Sequence, residues 1–77
     1  MPYVIVKLLS GRSEQQKAKI AEAVTQAVMA TAHCPEDAVS VCIEDVAPND
    51  WTEQVCKPDI IGNSQRLYKK PGYDPDK

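Results

Sequence analysis

The sequence predicts an α/β protein built on one β-α-β unit with parallel strands, oligomerising to a four-stranded sheet. Three observations carry that prediction. Pro2 to Leu9 is rich in β-branched residues and reads as a strand. Ser13 followed by Gln16 is a capping box, and it opens a helical stripe at Ile20, Val24, Ala27, Val28 and Thr31. Val39 to Val46 then alternates, with Val39, Val41 and Ile43 on one face and Ser40, Cys42 and Glu44 on the other. A crossover of this length joins parallel strands with right-handed sense.

The elements follow in order. Ser10-Gly11-Arg12 is a loop between the first strand and the helix. The helix runs from Ser13 to about Ala32, with Lys17, Lys19, Glu22 and Gln26 on its wetter side. His33-Cys34-Pro35 stops it, because the residue before a proline avoids the α region. After the second strand, Ala47 to Asp50 is a turn, and Asn49 or Asp50 is a candidate cap for a short helix through Trp51 to about Cys56. Lys57-Pro58 is expected to break that helix. Asp59 to Tyr68 reads as another short helix, weakened at Gly62-Asn63. Lys70 to Tyr73 ends the ordered chain, and 74–77 reads as a flexible tail.

A chain of 77 residues is expected to form a single domain, 1–77. At this size it buries only about 60% of its unfolded surface, so it needs a further stabiliser. Cys34, Cys42 and Cys56 make an odd cysteine count, and no signal peptide is apparent, which points to reduced thiols and a cytoplasmic location. His33 and the cysteines lack the spacing of a metal site, and no cofactor is expected. A net charge of −2 gives no footprint for nucleic acid, and no apolar run is long enough for a membrane span. By elimination, a second copy of the chain is the stabiliser. Two strands cannot stand alone in water, and their edges must pair with another protomer.

Pro2 is the first residue of interest for chemistry. Methionine aminopeptidases remove an initiator methionine when a small residue follows. The mature chain would then begin with a secondary amine, and an α-amino group has a reference pKa of about 7.7–8.0. Such an amine in a dry pocket is a candidate general base.

Pro2, an apolar strand, Gly11-Arg12-Ser13, Glu14-Gln15-Gln16-Lys17, an amphipathic helix and a second strand resemble, in that order, the 4-oxalocrotonate tautomerase family. The most specific part is the N-terminal proline with Leu9-Ser10-Gly11-Arg12-Ser13. The resemblance covers the first two-thirds of the chain. It implies the tautomerase-like fold, assembled as dimers or hexamers, and keto-enol tautomerisation of a 2-oxo acid with the terminal proline as base and acid. On that resemblance Pro2 and Arg12 are the catalytic pair, with Arg12 binding the substrate carboxylate. Trp51 falls where the family places an aromatic pocket wall, and Leu9 is a minor candidate for the lining. Ser40 falls where many members have a second arginine, which is a departure. The C-terminal third is longer than in hexameric members, and its Trp51 and Lys69-Lys70-Pro71-Gly72-Tyr73 resemble a dimeric subgroup, so a homodimer is expected.

The implied partner is a small 2-oxo acid or its enol, such as an aryl enolpyruvate. Two other readings stay open on the sequence. One is a proline-dependent hydratase or dehalogenase, which needs a water-activating carboxylate that the sequence does not place. The other is a non-catalytic dimer that binds a small acid or a partner protein.

Overall fold

A computed structural model of the chain describes residues 1–75; the end of the expected tail, 76–77, lies outside the described residues. The chain forms two compact units, Met1–Asp45 and the residues from Val46 onward.

The first unit holds the β-α-β element. Strand β1 spans Tyr3–Leu9, helix α1 Glu14–Ala32, and strand β2 Ser40–Val46, whose last residue opens the second unit. The two strands are parallel neighbours in one sheet. The backbone N–H of Ser40 donates to the carbonyl of Pro2 at 3.1 Å, which extends the pairing to the start of β1. Val4, Val6, Val41 and Ile43 are half-buried. The opposite side is open: Tyr3 is 63%, Ile5 50% and Leu9 43% exposed. Lys7 lies across from Glu44 on β2, 3.8 Å between charged atoms.

The capping box expected at the helix start is formed. Ser13 is extended, its hydroxyl accepts from the Gln16 N–H at 3.1 Å, and the Gln16 side chain accepts from the Ser13 N–H at 3.1 Å. Two of the donors that a helix start leaves without partners are thereby satisfied. At the other end His33 adopts the left-handed conformation, φ 55° and ψ 53°. One turn of 3-10 helix, Glu36–Ala38, then leads into β2.

The sequence reading of α1 needs two corrections. Ile20, Val24 and Val28 are half-buried as expected, but with Ala21, Thr25 and Met29; Ala27 and Thr31 are exposed. The packed face is centred between the Ile20–Val24–Val28 and Ala21–Thr25–Met29 rows, which leaves Ala27 at its edge and Thr31 in the last turn. Lys17 is not on the wet side either. It lies on the packed face with its side chain 15% exposed, and its ammonium sits 2.7 Å from Asp45 Oδ2 and 2.9 Å from Glu14 Oε1. The long stem covers apolar surface while the charge reaches two carboxylates.

The second unit is built on helical turns. Val46, Val55 and Cys56 form its buried core. Pro48–Asp50 makes one turn of 3-10 helix that runs directly into a π-helical segment, Thr52–Ile60. Neither Asn49 nor Asp50 caps it. The helical run starts earlier, after extended Ala47, with Pro48 at its first position. The expected break at Lys57-Pro58 is also absent, since the segment continues through Pro58 to Ile60. In an α-helix the Pro58 ring would press on the carbonyl of Gln54. The wider π turn relieves that contact. Ile61 closes the segment by donating its N–H to the carbonyls of Cys56 and Lys57. A Cβ on Gly62 would lie 2.8 Å from the Lys57 carbonyl oxygen, so the turn requires glycine there. A last 3-10 segment, Ile61–Arg66, is kinked at Asn63 and ends before extended Leu67, two residues short of the expected end at Tyr68. No helix among the described residues is long and apolar enough to cross a membrane.

The Lys17 pair carries a pH dependence. Its pKa is raised from the ordinary 10.5, first by the hydrogen bond to Asp45 and then by that to Glu14. Folding therefore favours the charged lysine. That contribution is fully present below 10.5 and is lost as pH rises through the raised value. Wild type should show a higher urea midpoint than Lys17→Met at neutral pH, and the difference should shrink above 10.5. A difference that stays constant through the alkaline range would show that the pair contributes nothing.

Candidate active site

The β-α-β topology places the sequence-predicted residues in two groups within the first unit. Pro2 and Ser40 are neighbours through the 3.1 Å bond between their backbones. Pro2 is half-buried and Ser40 exposed. In the 77-residue chain the nitrogen of Pro2 is an amide, because Met1 precedes it. Leu9 and Arg12 form the second group. Arg12 Nη1 donates to the Leu9 carbonyl at 3.1 Å, which turns the guanidinium back over the end of β1. Only one of its five N–H donors is used in that bond, and both residues are exposed.

β1 separates the two groups. Seven residue steps lie between Pro2 and Leu9, and at about 3.3 Å per step the strand holds them roughly 23 Å apart. One copy of the chain therefore does not bring Pro2 and Arg12 together. Trp51 belongs to the second unit and is half-buried. Its indole N–H donates to the hydroxyl of Tyr73 at 3.4 Å.

The loop that aims Arg12 depends on Gly11, whose φ is 124°. No atom would crowd a Cβ there, so the demand for glycine comes from the backbone alone. The partner of Trp51 escaped the sequence reading, which put Tyr73 at the end of ordered chain. A side-chain bond spanning 22 residues leaves no periodic signal.

Two of the clefts among the described residues lie elsewhere. One of about 230 Å³ runs along Glu14, Lys17, Ala18, Ala21 and Ile43. The other, about 350 Å³, is lined in the second unit by Ile60, Ile61, Leu67, Lys70 and Pro71, among others. Neither includes Pro2, Arg12, Leu9, Ser40 or Trp51. Among the described residues no group of three His, Cys, Asp or Glu side chains is placed to hold a metal. Cys34, Cys42 and Cys56 are all free thiols.

A parallel β-α-β element that begins at a proline and carries an arginine in its first loop defines a class of small α/β proteins. The model of the family described as tautomerase enzyme matches residues 2–55, and the chain belongs to that family. A probable tautomerase of Xylella fastidiosa (strain 9a5c) is 42% identical over 73 residues, 95% of this chain and 89% of the relative, so the C-terminal third is shared. The 2-hydroxymuconate tautomerase of Bacillus subtilis (strain 168) is 46% identical over 51 residues, 66% of this chain and 82% of that protein. Among solved structures, the crystal structure of TomN, a 4-oxalocrotonate tautomerase homologue in the tomaymycin biosynthetic pathway, matches with a TM-score of 0.63. It is 42% identical and covers 65% of this chain and 77% of that one. The β-α-β fold is thus that of the 4-oxalocrotonate tautomerases.

Replacing Gly11 by alanine should lower stability by about 1–3 kcal/mol, the cost of holding a side chain in this region of φ/ψ space. Urea denaturation measures it. An unchanged midpoint would show that the loop relaxes to negative φ without loss.

Proposed function

We propose that the chain is a cofactor-independent tautomerase that ketonises the enol of a 2-oxo acid and works as a homodimer. The observation that carries this reading is the family match, which begins at residue 2 and spans Arg12, Ser40 and Trp51. The name of the Bacillus subtilis relative supports the same reaction class. Met1 must first be removed, which converts the Pro2 nitrogen into an amine. That amine takes the enol hydroxyl proton as the carbonyl forms, and returns a proton to the adjacent carbon. The net change is one proton moved from oxygen to carbon, with no electrons exchanged. Arg12 holds the carboxylate by a two-pronged, charge-assisted hydrogen bond.

The separation along β1 decides how such a site is assembled. Arg12 serves the Pro2 of another copy. If two β1 strands run antiparallel about a two-fold axis, the start of one lies beside the end of the other, and the pairing is reciprocal. The burial pattern supports a second copy: α1 has no buried residue, and Tyr3, Ile5 and Leu9 remain exposed. Leu9 then joins the lining beside the Arg12 carboxylate site, Ser40 lies beside Pro2, and Trp51 receives the remainder of the substrate.

Mixed oligomers test both parts. Protein retaining Met1 should turn over phenylenolpyruvate about 10²–10⁴-fold more slowly than protein lacking it, the usual loss on removing a positioned acid/base group. Arg12→Ala should also be slow. Subunit exchange between the Met1-retaining protein and processed Arg12→Ala should restore roughly a quarter of wild-type activity, because a two-fold heterodimer has one intact site of two. Equal activity with and without Met1 removes the proline from the mechanism. Absence of restoration would show that Arg12 does not serve the Pro2 of another copy.

Ser40 bears on specificity. A hydrogen bond to a charged group contributes about 1.5–3 kcal/mol, so one fewer arginine should disfavour a second carboxylate by roughly 10–100-fold. Phenylenolpyruvate should therefore have a higher kcat/KM than 2-hydroxymuconate, and Ser40→Arg should raise the value for the dicarboxylate selectively. A dicarboxylate already preferred by wild type would mean that another residue replaces the missing arginine.

A further inference from the structure

The side chain of Trp51 has one polar atom, and Tyr73 occupies it. The indole N–H is a donor only, and a packed tryptophan needs an acceptor for it. The acceptor is the phenol oxygen of Tyr73 at 3.4 Å, brought back from 22 residues further along the chain. Leu67 is already extended, so the chain beyond the last helical turn crosses the second unit without regular structure. Tyr73 is 51% exposed, so packing alone does not hold its ring. At 3.4 Å the bond is long, and it is accordingly a modest, replaceable constraint.

We infer that Tyr73 is a positioning residue that sets the specificity of Trp51. By accepting the indole N–H, it leaves Trp51 with only its ring to offer a ligand. A ring face favours an aryl or alkyl substituent, whereas a free N–H is a donor for a second carboxylate. The C-terminal segment thereby enforces the same preference that Ser40 gives from β2, by withholding a donor instead of lacking a cation. This rests on the proposed place of Trp51 in the substrate site.

The sole tryptophan of the chain makes the inference measurable without turnover. Emission of Trp51 is recorded for wild type, Tyr73→Phe and Tyr73→Ala, all lacking Met1. Binding of phenylpyruvate and of cis,cis-muconate is followed by calorimetry in each. Tyr73→Phe keeps the ring and frees the indole, so emission should move and the affinity ratio of monoacid to diacid should fall about 3–10-fold, the size of one modest hydrogen bond. In a Trp51→Phe background the same Tyr73→Phe change should leave the ratio as it was, a cycle that separates positioning from direct contact or general loosening of the fold. Unchanged emission in Tyr73→Phe overturns the coupling. A shifted emission with an unchanged ratio, or an equal effect in the Trp51→Phe background, overturns the specificity role. Binding that behaves as expected without Pro2-dependent ketonisation would fail the proposed reaction and leave this inference standing.

Discussion

One helix has to cover a two-stranded sheet, and it covers one side. Val4, Val6, Val41 and Ile43 are half-buried, while Tyr3, Ile5 and Leu9 remain in solvent on the other side of β1. No residue of α1 is fully buried. Among the described residues, the three well-buried side chains, Val46, Val55 and Cys56, all lie in the second unit. The β-α-β unit thus has secondary structure in full and a core only in part. At about 25 cal/mol per Å² of apolar surface, the exposed aromatic and aliphatic side chains of β1 represent several kcal/mol of stabilisation not realised by one copy. Strand edges add a second unmet demand, since their backbone groups also want partners.

Local chemistry made the first half of the chain legible. Ser13 and Gln16 state where α1 begins because their side chains answer a backbone demand that no other pair nearby could meet. Pro35 states where it must already have ended. The alternation of Val41 and Ile43 with Ser40, Cys42 and Glu44 gives β2 its two faces directly. What the sequence did not give was the orientation of α1. Ala27 and Thr31 are small enough to sit at the edge of a face or on it, and Lys17 is long enough to reach water from a packed position. Lys17 reaches Asp45, far along the chain on β2, as well as its neighbour Glu14, and the first of these partners cannot be read from the local pattern.

The second half was harder to read for a different reason. Pro58 is a reliable interruption of an α-helix, but not of a wider turn. Nothing local announces a π-helical segment. Its evidence is distributed over Ile61 donating to two carbonyls, a glycine at 62 that alone fits under Lys57, and a core formed by Val55 and Cys56. For the candidate site the sequence supplied the residue types but not their separation. Pro2 and Arg12 read as companions when written ten letters apart, and it is the extended geometry of β1 that puts them at its opposite ends.

That separation changes what a single chain amounts to. With Pro2 at one end of β1 and the Arg12 guanidinium at the other, the proposed mechanism would give an isolated chain two half-sites and no whole one. Where activity is built across copies, dilution below the dissociation constant does not merely expose apolar surface; it abolishes turnover. Specific activity would then follow mass action in protein concentration. A cell holding this chain near that threshold would have a catalyst whose output rises faster than its abundance.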